Sequence, residues 1–430
     1  MKILLKTAAI TVMMFGVSLP VLAETQIIYA GELLAVPGEP AKTEQTIVIK
    51  ESKIVGVRDG YVDLEEFGEK VRVIDLKSSF VMPGMMDMHV HLQGELGPKN
   101  DSEDLKMSAE LRSMQSVHFA MKTLIAGFTT VRDLGSDSQH MYALRDAINK
   151  GWVKGPRIIA AGGVGITGGH ADVSGVKPEL LEFYTDKTIC DGPYDCRRAT
   201  RRAIKFGADL IKITSTGGVL TDRATGTGQQ MEMDELKEVV LAAKRMGRKV
   251  ASHAHQEDGI IAALEAGVDS IEHGTYTGKE AIKLFKKTGA YLVPTLLAGE
   301  TVKYMAENSD FMSDAIKVKA IRVGGDMKDN FSKAYQAGVK IAFGTDSGVS
   351  KHGTNAQEAV LMYEAGMSAM AVIKSATVSA ADLIDMSDNL GTIEVGKYAD
   401  IIATDGSPLE NIKELLDVDF VMRSGEVFKK

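Results

Sequence analysis

The sequence predicts an α/β protein, in which a (β/α)8 TIM barrel carries a small β-sandwich domain built from the N- and C-terminal segments. Three observations predict this fold class. Eight short apolar or β-branched runs alternate with helical stretches through the middle of the chain. The segments on either side instead alternate polar and apolar residues, as antiparallel strands do. Histidines gather at the ends of several middle runs, where the active sites of such barrels lie.

Length and charge limit the possible functions. The chain has 430 residues, 44% of them hydrophobic and 25% charged, which is typical of a globular protein. One barrel fills about 250 residues, so a second, smaller unit is expected. The formal net charge of −8 argues against nucleic acid as a partner. No run of lysine and arginine suggests an anionic membrane surface.

The first 23 residues are predicted to be a secretory signal peptide. Two lysines precede a mostly apolar run, and Val21 and Ala23 stand three and one places before an expected cleavage ahead of Glu24. The run is short for a membrane span of about 20 residues, so cleavage is favoured over an uncleaved anchor. We therefore expect an exported protein, periplasmic or secreted, with no membrane association after cleavage.

The β-sandwich domain is expected to take residues 24–82 and 391–430. Runs such as "EQTIVIKESKIVGVRDG" near the start and "GTIEVGKYADIIATDG" near the end read as short strands between glycine and aspartate breaks. The two ends therefore flank a barrel expected over residues 83–390.

Eight runs are expected to form the barrel strands. They are "MMDMHVH", "FTTVRDL", "RIIAAGG", "ADLIKITST", "KVASHAH", "SIEHG", "YLVPTL" and "IAFGTDS". Helical segments lie between most of them, and glycines such as Gly267 and Gly289 stand where the helices should stop. A doubly wound open sheet is the alternative, but no G-x-G-x-x-G follows the first strand.

The chain has two cysteines, Cys190 and Cys196. An exported protein meets an oxidising compartment, and Gly192 and Pro193 between the cysteines let the chain turn back. We expect a disulfide that closes this short loop. Two cysteines alone make a poor zinc site, because a closed site takes four ligands.

Metal-binding residue types gather at the C-terminal ends of the predicted strands. A lone histidine is more often structural, but five of the nine histidines lie on three strand ends, together with a lysine, a glutamate and an aspartate at strand ends of the same kind. These residues are His89, His91, Lys212, His253, His255, Glu272, His273 and Asp346. Imidazole and carboxylate are ligands of zinc and similar ions, and a bound metal lowers the pKa of water towards about 7. The pattern predicts a metal-dependent hydrolase.

Lys212 leaves two interpretations open. Its neutral amine can add carbon dioxide to form a carbamate, an anionic group able to bridge two metals. Its ammonium could instead pair with a carboxylate or reach a substrate oxygen.

The motifs resemble those of the amidohydrolase superfamily of metal-dependent hydrolases. The resemblance rests on "PGMMDMHVH", "GFTTVRDLG", "SHAH" followed by "EHG", "GTDSG" and the C-terminal "GTIEVGKYADIIATDGSPLENI". Within that superfamily, "GGVGITGGHAD", "IKITSTGGV" and "HGTNAQEAVLMYEAGMS" are similar to a secreted dipeptidase branch. That branch includes Xaa-Pro and Xaa-Arg/Lys dipeptidases and ochratoxin-hydrolysing amidases.

The resemblance implies two divalent metal ions, expected to be zinc, and a set of residues that hold them. The implied ligands are His89, His91, Lys212, His253, His273 and Asp346. The first two bind the more buried metal, the lysine bridges both metals as an N-carboxylated side chain, and the next two bind the second metal. Asp346 also binds the first metal and acts as general base and then general acid.

Three further residues are candidates for substrate contact. His170 resembles a substrate-binding histidine, although it could be a loop histidine bonded to backbone. His255 faces the same side of its strand as His253 and is expected near the metals without binding them. Arg223 could grip a free carboxylate or be solvated.

The expected reaction is hydrolysis of the amide bond of a dipeptide or N-acyl amino acid, of Xaa-Pro or Xaa-Arg/Lys type, by attack of metal-bound hydroxide. A mononuclear cyclic-amide hydrolase or deaminase, similar to imidazolonepropionases, is the alternative, and a bridging Lys212 argues against it. A non-catalytic exported binding barrel is a third hypothesis, which the complete set of ligands disfavours. The resemblance also implies a homo-oligomer acting on a small-molecule or dipeptide substrate.

Overall fold

The computed structural model describes residues 25–68, 70–222 and 225–430. The predicted signal peptide lies outside these residues. In chain order the strands are β1 (Thr25–Leu33), β2 (Lys42–Lys50), β3 (Lys53–Asp59), β4 (Val71–Pro83), β5 (Met85–Val90), β6 (Phe128–Asp133), β7 (Arg157–Ile166), β8 (Ile189–Cys190), β9 (Leu210–Thr214), β10 (Val250–Ala254), β11 (Ser270–His273), β12 (Tyr291–Val293), β13 (Lys340–Ile341), β14 (Ile401–Thr404), β15 (Phe420–Arg423) and β16 (Glu426–Lys429).

The helices lie mainly between the middle strands. They are α1 (Asn100–Lys106), α2 (Ala109–Ile125), α3 (Ser138–Asn149), α4 (Pro178–Tyr184), α5 (Pro193–Phe206), α6 (Met233–Arg245), α7 (Glu257–Ala266), α8 (Lys279–Thr288), α9 (Leu296–Asn308), α10 (Asp314–Gln336), α11 (Gln357–Glu364), α12 (Ala369–Ser375) and α13 (Val378–Leu383), with short 3₁₀ helices at Leu64–Phe67 and Ile412–Leu416. In the described part of the chain, no helix has the length and apolarity needed to cross a membrane.

Eight parallel strands form the barrel wall in chain order, β5-β6-β7-β9-β10-β11-β12-β13, and the short β8 pairs with β7 outside this order. The wall closes through the segment after β13. Met88 N donates to Phe343 O at 2.8 Å, and His91 N donates to Ser347 O at 2.7 Å. The predicted barrel is confirmed, and its eight strands fall on the eight predicted runs.

Local sequence signals set the ends of the barrel helices. Ser108 and Ser313 cap α2 and α10 by accepting hydrogen bonds from backbone N–H groups in the first turn. Gly267 and Gly289 end α7 and α8 with φ of 94° and 77°, a left-handed conformation that strains residues with a Cβ. The chain therefore turns back towards the next strand after each of these two helices.

The two ends of the chain share one seven-stranded sheet, ordered β16-β15-β14-β4-β1-β2-β3. The central β4 pairs with β1 in parallel and with β14 in antiparallel orientation. Ile28, Ile47, Ile74, Ile401 and Phe420 belong to the buried apolar core of this sheet. Because β4 ends at Pro83 and β5 begins at Met85, the sheet leads directly into the first barrel strand.

The predicted disulfide is present. Cys190 and Cys196 are joined with an S–S distance of 2.10 Å, and both side chains are buried. The bond ties the end of β8 to the first turn of α5. Ile189, which precedes the first cysteine, lines the cavity described next.

Candidate metal centre and substrate cavity

A cavity of about 600 Å³ opens at the C-terminal ends of the barrel strands. Of the six predicted metal ligands and three predicted substrate contacts, eight line it together: His89, His91, His170, Lys212, His253, His255, His273 and Asp346. The ninth, Arg223, lies outside the described residues. Donors that are far apart in the sequence are therefore brought to one place by the barrel topology.

Three of these residues form a tight group. Each of His89, His91 and Asp346 offers one ligand atom, and these three atoms lie within 4.8 Å of one another. Asp346 Oδ1 is 2.8 Å from His91 Nε2 and 3.4 Å from His89 Nε2. This oxygen is buried, yet neither ring gives it a well-directed hydrogen bond. Buried polar atoms are normally satisfied, so an oxygen facing two imidazole nitrogens in this way fits a shared cation.

The electrostatics of Asp346 favour its anion. Burial alone raises the pKa of this carboxyl, but the facing rings of His89 and His91 hold it well below its usual range. The group is therefore ionised, as a metal ligand must be.

Backbone conformation is unusual at the same place. Asp346, His273 and Thr295 have φ of 59°, 69° and 52°, in the left-handed region that non-glycine residues rarely adopt. Asp346 N also donates to His89 O at 2.7 Å, which ties the end of the barrel to its beginning. Such strain is typically concentrated at functional sites.

The ring of His89 is oriented from behind by a buried ion pair. Its Nδ1 lies 3.0 Å from Glu272 Oε2, and Glu272 Oε1 accepts a 2.8 Å hydrogen bond from Arg132. Burial lowers the pKa of His89 to about 4, so the imidazole is neutral and its Nε2 faces Asp346. An imidazole oriented by a carboxylate in this way is characteristic of metal-ligating histidines.

The second pair of predicted ligands adjoins this group. The ring centroids of His253 and His273 are 4.6 Å apart, and that of His273 is 5.1 Å from His89. His273 Nδ1 lies 2.7 Å from Thr295 Oγ1, which fixes the ring. Burial and the neighbouring imidazoles lower the pKa of both histidines well below the usual value. Within the described ranges, no second set of three His, Cys, Asp or Glu ligands is as close as the first.

Lys212 reaches the cavity from β9 and is buried. Among the described residues, no partner forms a hydrogen bond or ion pair with its Nζ. Burial lowers the pKa of this amine to about 8, against the opposing effect of Glu272 and Asp346. The neutral amine is therefore accessible near neutral pH, and it is this form that reacts with carbon dioxide.

The two remaining predicted histidines lie beside the second pair. The ring of His170 is 4.5 Å from that of His253, and its Nδ1 is hydrogen-bonded to Thr221 Oγ1. His255 Nδ1 lies 2.8 Å from Thr275 Oγ1. The imidazole of His170 is thus bonded to a side chain, and the backbone N–H of His170 donates to Gln230 Oε1.

Several supporting residues were not predicted from the sequence. Asp87 accepts hydrogen bonds from His89 N (3.1 Å), from Thr345 Oγ1 (2.7 Å) and from Asn355 Nδ2 (2.8 Å). It lies in the first predicted strand two residues before His89, a position that could have drawn attention to it. Arg132 stands inside β6 without any local signal.

One wall of the cavity is apolar. α9 and α10 contribute Ala298, Gly299, Val302, Val323 and Met327. A Cβ at Gly299 would overlap Met327 Sδ, so the glycine lets the two helices approach closely.

Three carboxylates besides Asp346 line the cavity, and each accepts hydrogen bonds from neighbouring groups. Glu95 pairs with Lys122 at 2.9 Å, Asp137 caps α3, and Asp186 accepts from Thr188 at 2.7 Å. Of these three, Glu95 is paired with a cation, whereas Asp137 and Asp186 accept from uncharged donors.

Comparisons with known proteins point to one family. The model of the amidohydrolase family matches residues 80–428. Ochratoxinase from Aspergillus niger is 30% identical over 427 residues, covering 95% of this chain and 87% of that protein. A solved Xaa-Pro dipeptidase with bound methionine in the active site is 42% identical with a TM-score of 0.90, covering 95% of this chain and all of the other. A prolidase complexed with N-methylphosphonate-L-proline is 29% identical with a TM-score of 0.85, covering 94% of this chain and all of the other.

Proposed function

We propose that this chain, which belongs to the amidohydrolase family, is an exported dipeptidase that hydrolyses Xaa-Pro dipeptides or similar N-acyl amino acids. The family is metal-dependent and acts on small molecules, and these coarser expectations from the sequence motifs agree with the comparisons. The observation that carries the proposal is the tight group of His89, His91 and Asp346 at the floor of a cavity with one apolar wall.

Two metal ions, expected to be zinc, would be held by this chain's donors. His89, His91 and Asp346 would take the first, and His253 and His273 would take the second. Lys212, as a carbamate, would supply the oxygens shared by both. When bound, the ions supply activated water and polarise the substrate carbonyl.

Asp346 has the central part in moving protons. In the proposed reaction a C–O bond forms at the carbonyl carbon and the C–N bond breaks. Asp346 takes the proton of the attacking water and passes it to the departing amine nitrogen, which a secondary amine such as proline needs in order to leave. Glu272 keeps the neighbouring His89 ring in place throughout.

The cavity favours an apolar substrate side chain. The wall from α9 and α10 offers methylene, methyl and thioether surface. This apolar surface favours Xaa-Pro over Xaa-Arg/Lys substrates. The Xaa-Pro dipeptidase that holds methionine and the prolidase that holds a proline phosphonate support the same choice.

A one-metal cyclic-amide hydrolase is the second candidate. The single tight group of three ligands favours it, since that group suffices for one ion. Lys212 favours two ions, because a buried amine without a partner is costly unless it is modified or bound. A metal analysis of the purified protein separates the two: two ions per chain support the dipeptidase, and one supports the alternative.

Export and assembly complete the proposal. The disulfide between Cys190 and Cys196 suits an oxidising compartment, in line with the predicted signal peptide. A homo-oligomer is proposed from family resemblance alone.

The test is hydrolysis by metal-replete protein of Met-Pro, Leu-Pro, Met-Lys, N-acetyl-methionine and a cyclic amide, followed by amino-acid analysis. We expect release of proline from the first two. Asp346→Asn is expected to retain its metal and to lose turnover. Cleavage of the cyclic amide alone would overturn the dipeptidase assignment, and no cleavage by protein with two bound metals would support the binding-barrel hypothesis.

A further inference from the structure

A buried lysine of α10 reaches the segment that follows β9. Lys319 is 6% exposed, and its Nζ donates hydrogen bonds to the carbonyl oxygens of Gly218 at 3.1 Å and Thr221 at 2.6 Å. A buried ammonium must be compensated by hydrogen bonds, so these carbonyls and the lysine fix one another. Lys319 itself does not line the metal cavity.

The segment after β9 that Lys319 contacts also contacts His170. Thr221 Oγ1 is hydrogen-bonded to His170 Nδ1. Gly218 lies flush against the same ring, since a Cβ at that position would overlap the imidazole. Gly218 and Thr221, two residues that accept from Lys319, therefore touch His170, which lines the cavity beside His253.

A second contact ties the same two elements together. Ser313, the N-cap of α10, donates from its Oγ to Asp222 Oδ1 at 2.6 Å. The loop after β7, the segment after β9 and the start of α10 thus meet at one place, although about a hundred residues separate Lys319 from Gly218.

We propose that Lys319 is a positioning residue: it holds residues 217–222 against His170 and so sets the place of that ring at the substrate cavity. The effect on catalysis rests on the proposed function and on the prediction from the sequence motifs that His170 contacts the substrate. The lysine does not line the cavity that holds the candidate metal ligands, so its loss should impair substrate binding without loss of metal.

The experiment compares Lys319→Met with Lys317→Met. Methionine preserves the length of the side chain and removes its donors. Lys317 lies on the same helix, and within the described part of the chain its side chain makes only a 3.9 Å surface contact with Asp310. Three quantities are measured: hydrogen–deuterium exchange of residues 216–222, metal content, and kcat and KM for Met-Pro. We expect Lys319→Met to speed the exchange and to raise KM about tenfold with kcat and metal content little changed, and Lys317→Met to change none of them.

A double-mutant cycle shows whether Lys319 acts through His170. In a His170→Ala background, Lys319→Met should raise KM no further, because the ring that it positions is gone. Thr221→Val keeps both carbonyls and removes the hydrogen bond to His170, so it should raise KM without faster exchange. This second variant keeps the test open if Lys319→Met folds poorly.

Three outcomes would overturn the proposal. They are unchanged exchange in Lys319→Met, faster exchange with unchanged KM, and additive effects of the Lys319 and His170 substitutions. If the wild-type protein cleaves no dipeptide, the proposed function fails separately. In that case the positioning role of Lys319 is tested by hydrogen–deuterium exchange and by the Kd for methionine, measured in the same variants. Faster exchange together with a higher Kd in Lys319→Met supports the role. An unchanged exchange rate or an unchanged Kd rejects it.

Discussion

Glu272 and His89 form a buried pair, with Glu272 Oε2 3.0 Å from His89 Nδ1 and both side chains at most 1% exposed. Arg132 completes the arrangement from the other carboxylate oxygen. The Glu272 carboxylate thus orients a candidate metal ligand although it does not itself face the cavity. Its charge both fixes the ring and neutralises a buried guanidinium.

Glu272→Gln is expected to weaken metal binding. The amide can still contact His89, but it carries no charge and leaves Arg132 buried beside a neutral group. Loss of such a supporting partner typically costs about 10- to 100-fold in metal affinity. Competition with a chelator measures the affinity. Glu238→Gln is the control, because Glu238 pairs with Arg197 at 3.7 Å near the surface, and equal affinities in the two variants would contradict the assigned role.

Lys212→Gln is expected to remove the carbamate and one metal ion per chain. Glutamine is polar and of similar reach, but it cannot react with carbon dioxide. Wild-type protein prepared in ¹³C-bicarbonate should show a carbamate carbon signal by NMR that the variant lacks. Elemental analysis should find two ions in the wild-type protein and one in the variant. If the wild-type spectrum lacks this signal, Lys212 is not carboxylated and its side chain is an ordinary amine or ammonium.

Patterns within one strand made the ligand histidines predictable. His89 lies in β5 and His91 directly follows the last residue of that strand, so their spacing of two predicts that the rings share a face, and other donors fall at equivalent strand ends. The barrel itself followed from the alternation of strands and helices. Both the histidine pair and the strand–helix alternation depend on spacing between residues that are near in sequence, so they can be predicted from a single sequence.

The supporting residues depend on pairings across the barrel. Arg132 and Glu272 are 140 positions apart, and Lys319 meets Gly218 across 101 positions. Nothing near Arg132 or Lys319 in the sequence distinguishes them from other basic residues. The left-handed backbone of Thr295, which places its hydroxyl against His273, is likewise set by tertiary packing.

Acid should destabilise the fold through His352. Its Nε2–H donates to His91 O and Gly94 O, both at 3.1 Å, and burial lowers the pKa of this histidine to about 4. The unfolded chain binds the proton at about pH 6.5, so between pH 6.5 and 4 the unfolded state holds more protons. The contribution of His352 to the free energy of unfolding is therefore fully present above pH 6.5. It is lost as the pH drops towards 4, which lowers the free energy of unfolding by up to about 3 kcal/mol.

His352→Gln should flatten that dependence. The variant loses the titrating group, so its melting temperature should fall less steeply between pH 6.5 and 4 than that of the wild-type protein. His118→Gln is the control, because His118 is exposed on α2. Parallel curves for wild type and His352→Gln would show that His352 does not carry the effect.

Gly299→Ala should shift substrate preference towards small side chains. The new methyl group would overlap Met327 Sδ, and the flexible methionine must then move within the cavity wall that it shares with Val302 and Val323. Less space remains for a large Xaa residue, so kcat/KM for Met-Pro should fall about tenfold relative to Ala-Pro, the scale of one or two methylene groups in a pocket. Gly325→Ala is the matched control: it lies on α10, where an added Cβ meets open space. If Gly299→Ala leaves the Met-Pro to Ala-Pro ratio unchanged, the wall from α9 and α10 does not hold the Xaa side chain, and the preference must be set elsewhere in the cavity.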